Sequence, residues 1–215
     1  MSDALAHALT DAQVAETVET FDRRAALYAA RYAAHPPYIA TFDVLLGMMG
    51  PDHLRVLDLA CGPGSLGLHL RSRRPGLALT GTDLSPAMLR HAAAACPAAR
   101  WLQLDLRDTH RIEGVFDVVA CAFGLPYLDA AGAAALLDAC AQLLRPGGLL
   151  YLSTIGCAPE LRSQQSALGD RAWRCGHPPE RLRPALEARG FTLRWSDELL
   201  QGDDLEHFFI AQREG

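Results

Sequence analysis

Short runs of apolar residues alternate along the chain with longer segments in which apolar positions recur every three or four residues. The short runs predict buried strands and the periodic segments predict helices. We place five such strands at residues 56–60, 77–82, 100–104, 115–121 and 149–153. Strands that alternate with helices are typical of an α/β domain with a parallel sheet covered on both faces.

The two ends of the chain depart from this alternation. Residues 11–34 and 38–49 carry apolar positions at helical spacing on either side of His35-Pro36-Pro37, so they predict two helices before the first strand. We therefore divide the 215 residues into an N-terminal helical part, 1–50, and an α/β domain, 51–215. Within that domain, residues 156–176 are polar and lack a period, which predicts an irregular insertion.

A glycine turn follows the first strand. Gly62, Gly64 and Gly67 have the spacing G-x-G-x-x-G, which is found where a backbone turns sharply against a nucleotide. Asp58 lies close to that turn and Pro63 removes a backbone N–H from it, and both features disfavour a pyrophosphate. A ligand with a cationic group near the turn fits better.

Two further carboxylates follow the next two strands. Asp83 comes after the second strand, where an acidic side chain is positioned to accept both hydroxyls of a ribose. Asp105 follows the third strand and could accept from an adenine amino group, although Asp108 is close enough to compete for that role. The three carboxylates predict a ligand with an ammonium, a ribose and an adenine.

Five blocks of the sequence resemble the successive motifs of the class I S-adenosylmethionine-dependent methyltransferases, in order and spacing: VLDLACGPGSLGLHL, GTDLSPAMLRHA, WLQLDLRD, FDVVACAFGLPYL and LLRPGGLLYLST. The resemblance spans about residues 52–209. It implies a Rossmann-like, doubly wound, mostly parallel seven-stranded sheet with an antiparallel C-terminal edge and an N-terminal helical cap or lid. It also implies that S-adenosylmethionine is the cofactor and that a methyl group passes to O, N or C of a small-molecule acceptor.

The resemblance further implies which residues contact the cofactor. Asp58, Ala60, Cys61, Gly62 and Gly64 would hold its methionine end, and Ala60 stands where the family often has glycine. The remaining contacts would be Asp83 to the ribose, Leu84 and Met88 beside the adenine, Asp105 and Leu106 at its edge, and Cys121 beside the sulfonium.

Tyrosines of the N-terminal helices often lie near the methionine carboxylate in this family. Tyr28, which shares a helix face with Tyr32, is our candidate. The alternative is that both tyrosines simply pack their helix onto the sheet.

The acceptor side has weaker candidates. Methyl transfer needs alignment, and a hydroxyl or ammonium acceptor also needs a base. His177, beside the 156–176 insertion, is the candidate base, and Tyr127, after the fourth strand, could orient the acceptor. The alternatives are a turn histidine without a role and a tyrosine that fills space; Cys121 could likewise be an inert buried thiol. The insertion is the candidate substrate wall.

Composition limits the function further. The net charge is −5, and the twenty basic residues are all arginines scattered without a basic stripe, which argues against a nucleic-acid substrate. The six cysteines form no C-x-x-C pair, so we expect no metal. The N-terminal residues lack the pattern of a basic segment followed by an apolar core, and no apolar run reaches membrane-spanning length, so we expect a cytoplasmic monomer or homodimer without membrane contact.

Two other functions stay open at this point. A non-catalytic, S-adenosylmethionine-binding regulatory protein would carry the same motifs. An NAD-dependent oxidoreductase is the second alternative, which Asp58 and Pro63 disfavour.

Overall fold

The computed structural model describes residues 9–32, 35–156, 160–165 and 169–215. Parts of the predicted N-terminal cap (1–8, 33–34) and of the predicted insertion (157–159, 166–168, with Cys157) lie outside these ranges. No helix in the described ranges is long and apolar enough to cross a membrane.

Seven strands of the described chain form one sheet, in the order β3-β2-β1-β4-β5-β9-β8. The strands are β1 (Arg55–Leu59), β2 (Ala78–Asp83), β3 (Arg100–Gln103), β4 (Phe116–Ala122), β5 (Leu144–Ile155), β8 (Phe191–Gln201) and β9 (Asp204–Arg213). Neighbours among the first five are parallel, and β9 is antiparallel to both β5 and β8. The predicted Rossmann-like sheet with an antiparallel C-terminal edge is confirmed. Strand order reverses between β1 and β4, where ligands bind in such sheets.

Helices cover both faces of this sheet. They are α1 (Asp11–Tyr32), α2 (Pro36–Met48), α3 (Ser65–Arg73), α4 (Pro86–Ala95), α5 (Ala130–Leu143) and α6 (Pro179–Glu187). Apolar side chains of α2 and α3 pack on one face of the central strands, and those of α5 and α6 pack on the other. Successive residues of β1 and β4 contribute to the two cores in turn, because side chains alternate along a strand.

The first helix, α1, packs on α4 and on a hairpin. The Asp22 carboxylate of α1 accepts hydrogen bonds from the Ser85 hydroxyl and from the Ala87 N–H (3.0 Å) at the start of α4. On another side of α1, Thr20 donates to the Arg171 carbonyl (2.6 Å) and Thr17 accepts from the Trp173 N–H (3.0 Å). These bonds hold α1 across the carboxyl ends of the parallel strands.

The hairpin differs from the sequence-based expectation. Residues 156–176 were expected to be irregular, but the strands β6 (Leu161–Gln165) and β7 (Arg171–Cys175) form a separate two-stranded antiparallel sheet. β6 is exposed along most of its length, so it lacks the apolar alternation by which a strand is predicted. The closing strands β8 and β9 form a long hairpin that turns at residues 202–203.

Gly81 on β2 provides a test of packing. An added Cβ would enter the ring of Trp101 and come within 3.1 Å of the Cys61 sulfur, and a hydrogen bond from the Trp101 indole N–H to the Cys96 carbonyl (2.9 Å) fixes that ring. We expect Gly81→Ala to lower the free energy of unfolding by about 1 to 3 kcal/mol. Gly47→Ala, in α2 where an added Cβ has no neighbour within 4 Å, should raise it by about 0.5 to 1 kcal/mol. Urea titration of both variants measures this, and equal effects would contradict the packing role of Gly81.

Candidate functional site

Two adjoining cavities open at the carboxyl ends of the parallel strands. The larger measures about 870 Å³ and the smaller about 460 Å³, counting space open to solvent. The residues that line both cavities are Tyr28, Ala60, Gly62, Ala122 and Phe123. The boundary between the cavities therefore lies over the ends of β1 and β4, where the strand order reverses.

The backbone at this boundary is unusual. Ala60 follows β1 with φ of +50° and Phe123 follows β4 with φ of +58°, and both residues are in the left-handed region that favours glycine. Gly62, also left-handed, follows Ala60 in the same turn. Non-glycine residues in this region cost energy and are concentrated at functional sites. The backbone of Ala60 explains why glycine suits that position.

Asp58 lies beneath the turn and lines the smaller cavity. Its side chain is almost fully buried; Oδ2 accepts a hydrogen bond from the Gly67 N–H (3.1 Å), and Oδ1 has no partner among the described residues. Burial raises the pKa of this carboxyl to about 7. A buried, unpartnered carboxylate oxygen is costly, and a cationic ligand in the smaller cavity would provide the missing partner.

Asp83 ends β2 and faces the larger cavity. Its Oδ2 accepts from the Gly62 N–H and its Oδ1 from the Ser85 N–H, both at 2.8 Å. Burial raises its pKa, and these hydrogen bonds oppose that shift. Since each carboxylate oxygen accepts more than one hydrogen bond, both remain able to bind a pair of hydroxyls.

The far end of the larger cavity contains the predicted adenine residues. Leu84, directly after β2, and Met88, on α4, line it on one side, and Asp105 and Leu106 line it beyond β3. The Asp105 carboxylate is held by Arg107, which donates through its backbone N–H (2.8 Å), Nε (3.0 Å) and Nη2 (2.7 Å). An adenine amino group would therefore meet a carboxylate whose position is already fixed.

Some predicted site residues lie behind these walls. Cys61 lines the smaller cavity, whereas Gly64 lies outside both linings, against Trp101. Cys121 is fully buried in the core under α5, and burial raises its pKa to about 12. The two residues that follow it, Ala122 and Phe123, line both cavities in its place. The described residues contain no group of three metal-binding side chains.

The two candidates for the acceptor side are separated. Tyr127 lines the larger cavity, and burial raises its pKa to about 12. The structure does not bring His177 into either lining: its Nε2 lies 3.0 Å from the Leu128 carbonyl, and burial lowers its pKa. The assignment of His177 as the base stays a prediction, and its side chain lies outside both cavity linings.

Sequence analysis missed several lining residues. One face of α1 contributes Val14, Thr17, Val18 and Phe21, and the hairpin contributes Trp173. The smaller cavity has an aromatic wall in which successive rings contact one another: Tyr28, Tyr32, Tyr38 and Phe123. Phe42 lines the same cavity. The helical periodicity of α1 and α2 predicts that many of these side chains are buried. It does not predict whether a buried side chain faces the core or a cavity.

Comparisons with known proteins agree with this geometry. Residues 56–148 match the family model described as a methyltransferase domain. The ubiquinone biosynthesis O-methyltransferase of Xylella fastidiosa is 35% identical over 111 residues, or 47% of this chain and 42% of that protein. The demethylmenaquinone methyltransferase of Thermus thermophilus is 38% identical over 102 residues, or 46% of each chain. The chain spans less than half the length of these relatives.

Solved structures share the whole fold. A complex of DhpI with SAH has a TM-score of 0.75 at 21% identity and covers 96% of this chain and 99% of its own. The magnesium protoporphyrin IX methyltransferase ChlM of Synechocystis PCC 6803, solved with bound SAH, has a TM-score of 0.68 at 21% identity and covers 94% and 98%.

The buried Asp58 predicts a pH dependence of stability. Its pKa rises from 3.8 to about 7 on folding, so between these values the folded chain keeps a proton that the unfolded chain has lost. Rising pH must therefore lower the free energy of unfolding through this group. We expect Asp58→Asn to remove this loss. The free energy of unfolding of the variant, relative to that of the wild type, should therefore increase by about 2 to 3 kcal/mol from pH 5 to pH 7. Urea titrations at both pH values measure the gain; a constant difference would contradict the raised pKa.

Proposed function

We propose that this chain, whose Rossmann-like domain belongs to the class I S-adenosylmethionine-dependent methyltransferases, binds S-adenosylmethionine across both cavities and transfers its methyl group to a small-molecule acceptor. The unpartnered Oδ1 of Asp58 carries this proposal. It lies beside a cavity with an aromatic wall and next to a second cavity with the Asp83 carboxylate. A nucleoside with a cationic amino-acid end fits that pair of environments.

Each half of the cofactor has residues that suit it. Asp58 would accept from the ammonium of the methionine end, with Ala60, Cys61 and Gly62 around it. Asp83 would accept from the ribose hydroxyls. At the far end, Leu84 and Met88 would cover one side of the adenine, and Asp105 and Leu106 would meet its edge.

Methyl transfer requires mainly alignment from this chain. When bound, S-adenosylmethionine supplies a methyl group on a positively charged sulfur. Tyr28 and Phe123 line both cavities at their shared boundary, and aromatic rings attract cations. Tyr127 would orient the acceptor from the larger cavity. We assign α1 and the β6–β7 hairpin, whose Trp173 lines that cavity, as the lid and the substrate wall.

The proposal also covers the size of the acceptor, the cellular location of the protein and its oligomeric state. Relatives named for ubiquinone and menaquinone methylation support an acceptor of small-molecule size. Acidic charge and the absence of a basic stripe argue against nucleic acid. A cytoplasmic location and a monomeric or homodimeric state stay predictions; sedimentation of the purified protein tests the latter.

Calorimetry with S-adenosylmethionine tests the binding half of the proposal. We expect Asp83→Ala to weaken binding at least tenfold, about 1.4 kcal/mol, because the ribose loses its acceptor. Glu113→Gln, an exposed carboxylate away from both linings, should bind like the wild type. Unchanged affinity in Asp83→Ala would remove Asp83 from the ribose, and binding of NAD in place of S-adenosylmethionine would contradict the proposal itself.

Proton release on binding tests the role of Asp58. A carboxyl with a pKa of about 7 is partly protonated at pH 6.5, and pairing with an ammonium ionises it. Binding at pH 6.5 should therefore release a fraction of a proton and tighten as pH rises to 8. Calorimetry in two buffers of different ionisation enthalpy measures the release, and Asp58→Asn should abolish it. Equal release by wild type and variant would exclude the ammonium contact.

A further inference from the structure

A second buried carboxylate, Glu206, lies at the start of β9 and has no part in the site described so far. Its side chain is more than nine-tenths buried. Oε1 accepts a hydrogen bond from the Tyr38 hydroxyl (2.8 Å), and Oε2 has no partner among the described residues. Glu206 pairs with Ile155 at the carboxyl end of β5, the edge of the sheet where both cavities open.

Tyr38 connects this carboxylate to the smaller cavity, which it lines. Its hydroxyl donates to Glu206 and accepts from the Gln201 side chain (3.3 Å). A tyrosine oxygen has two lone pairs, so one remains for a further donor. The Tyr38 ring is 5.0 Å from that of Phe123, at the boundary of the two cavities where the sulfonium is proposed to lie.

We propose that Tyr38 and Glu206 form a proton relay that removes a proton from the methyl acceptor, which is therefore a hydroxyl or amine compound. This inference rests on the proposed function. Tyr38 is the catalytic residue that contacts the reacting heteroatom of the acceptor beside Phe123, at the boundary of the two cavities, while the rest of the acceptor lies in the larger cavity. Glu206 acts through Tyr38.

The acceptor heteroatom forms a bond to the methyl carbon while the bond between that carbon and sulfur breaks, and the electron pair of the broken bond stays on sulfur. The proton of the heteroatom passes to the Tyr38 oxygen, and the Tyr38 proton passes to Oε1 of Glu206. Tyr38 ends as a neutral phenol, Glu206 as a neutral acid and the cofactor as its neutral thioether.

The surroundings suit Glu206 as the final proton acceptor. Burial raises its pKa, which makes the carboxylate a stronger base. Burial and the bond to Glu206 raise the pKa of Tyr38, so the tyrosine does not persist as an anion. The titratable groups that sense Glu206 come from four elements: Tyr28 on α1, Tyr38 on α2, Tyr151 on β5 and Asp204 on β9.

Charge around the cavities also disfavours an acidic acceptor, which would need no base. The described cavity linings contain the carboxylates Asp58, Asp83 and Asp105 and one arginine, Arg107. Arg107 is bound to Asp105 and to Asp11 (2.8 Å). The nearby arginines of the hairpin are in ion pairs as well: Arg162 with Glu160, Arg171 with Glu16 and Arg174 with Asp204.

Labelled S-adenosylmethionine and a library of phenols, aliphatic alcohols, primary amines and carboxylic acids test the relay. We expect the wild-type protein to methylate hydroxyl or amine compounds and no carboxylic acid. With the best of these acceptors, Tyr38→Phe and Glu206→Gln should each lower kcat about 100-fold or more, because a positioned base contributes at least that factor. Cofactor affinity by calorimetry should stay within about twofold, which separates lost chemistry from lost binding.

Glu198→Gln is the matched control, an exposed glutamate on β8 that should keep full kcat. Methylation confined to carboxylic acids, or full kcat in Tyr38→Phe, would overturn the relay and leave the proposed function intact. Bound cofactor without transfer to any compound would overturn the proposed function, and the relay with it. Circular dichroism verifies that the variants fold. If neither variant folds, the class of compound that the wild type methylates supports or overturns the relay.

Discussion

The Asp83 carboxylate joins the parts of the molecule that form the site. It accepts one hydrogen bond from the turn after β1, at Gly62, and one from Ser85 before α4. Ser85 in turn donates to Asp22 on α1, so turn, sheet edge and covering helix belong to one hydrogen-bond network. Bonds to an ionised carboxylate are stronger than neutral ones, and burial makes each of them costly to leave unmade. The shape of both cavities depends on this carboxylate.

The site combines acidic groups with aromatic surface, at a cost to stability. An unpartnered buried oxygen such as Oδ1 of Asp58 disfavours the folded chain until a cation pairs with it. Left-handed backbone at Ala60 and Phe123 adds strain at the same boundary. A ligand that binds only the folded chain offsets such costs, which links stability to occupancy of the site. Glu206, beside the end of β5, likewise has a buried carboxylate oxygen without a partner among the described residues. It adds a further acidic group on the side proposed for the acceptor.

Much of this architecture was predictable from local patterns. β1, β4 and the second half of β5 are largely apolar because they are buried in the centre of the sheet, whereas β2 and β3 are only partly buried. Four of the five predicted strands begin and end within one residue of the observed strands, and β5 begins five residues earlier than predicted. Asp58 and Asp83 were identified because polar groups at the carboxyl ends of parallel strands must meet at one edge. The hairpin was missed because β6 is exposed and because β7 is held by bonds to α1, about 150 residues earlier in the chain. The position of His177 near the insertion likewise does not determine where its ring points, and the structure places it outside both cavity linings.

The sequence by itself therefore determined the fold class, the glycine turn and the acidic strand ends, since these depend on periodicity, backbone freedom and the alternation of strands and helices. Only the tertiary structure decided which side chains close the cavities. Trp173, Tyr38 and Glu206 come from distant segments, and each is positioned by partners that no local spacing specifies. Packing between α1, α2 and the C-terminal strands brings them together, and that packing depends on the shape of the whole core.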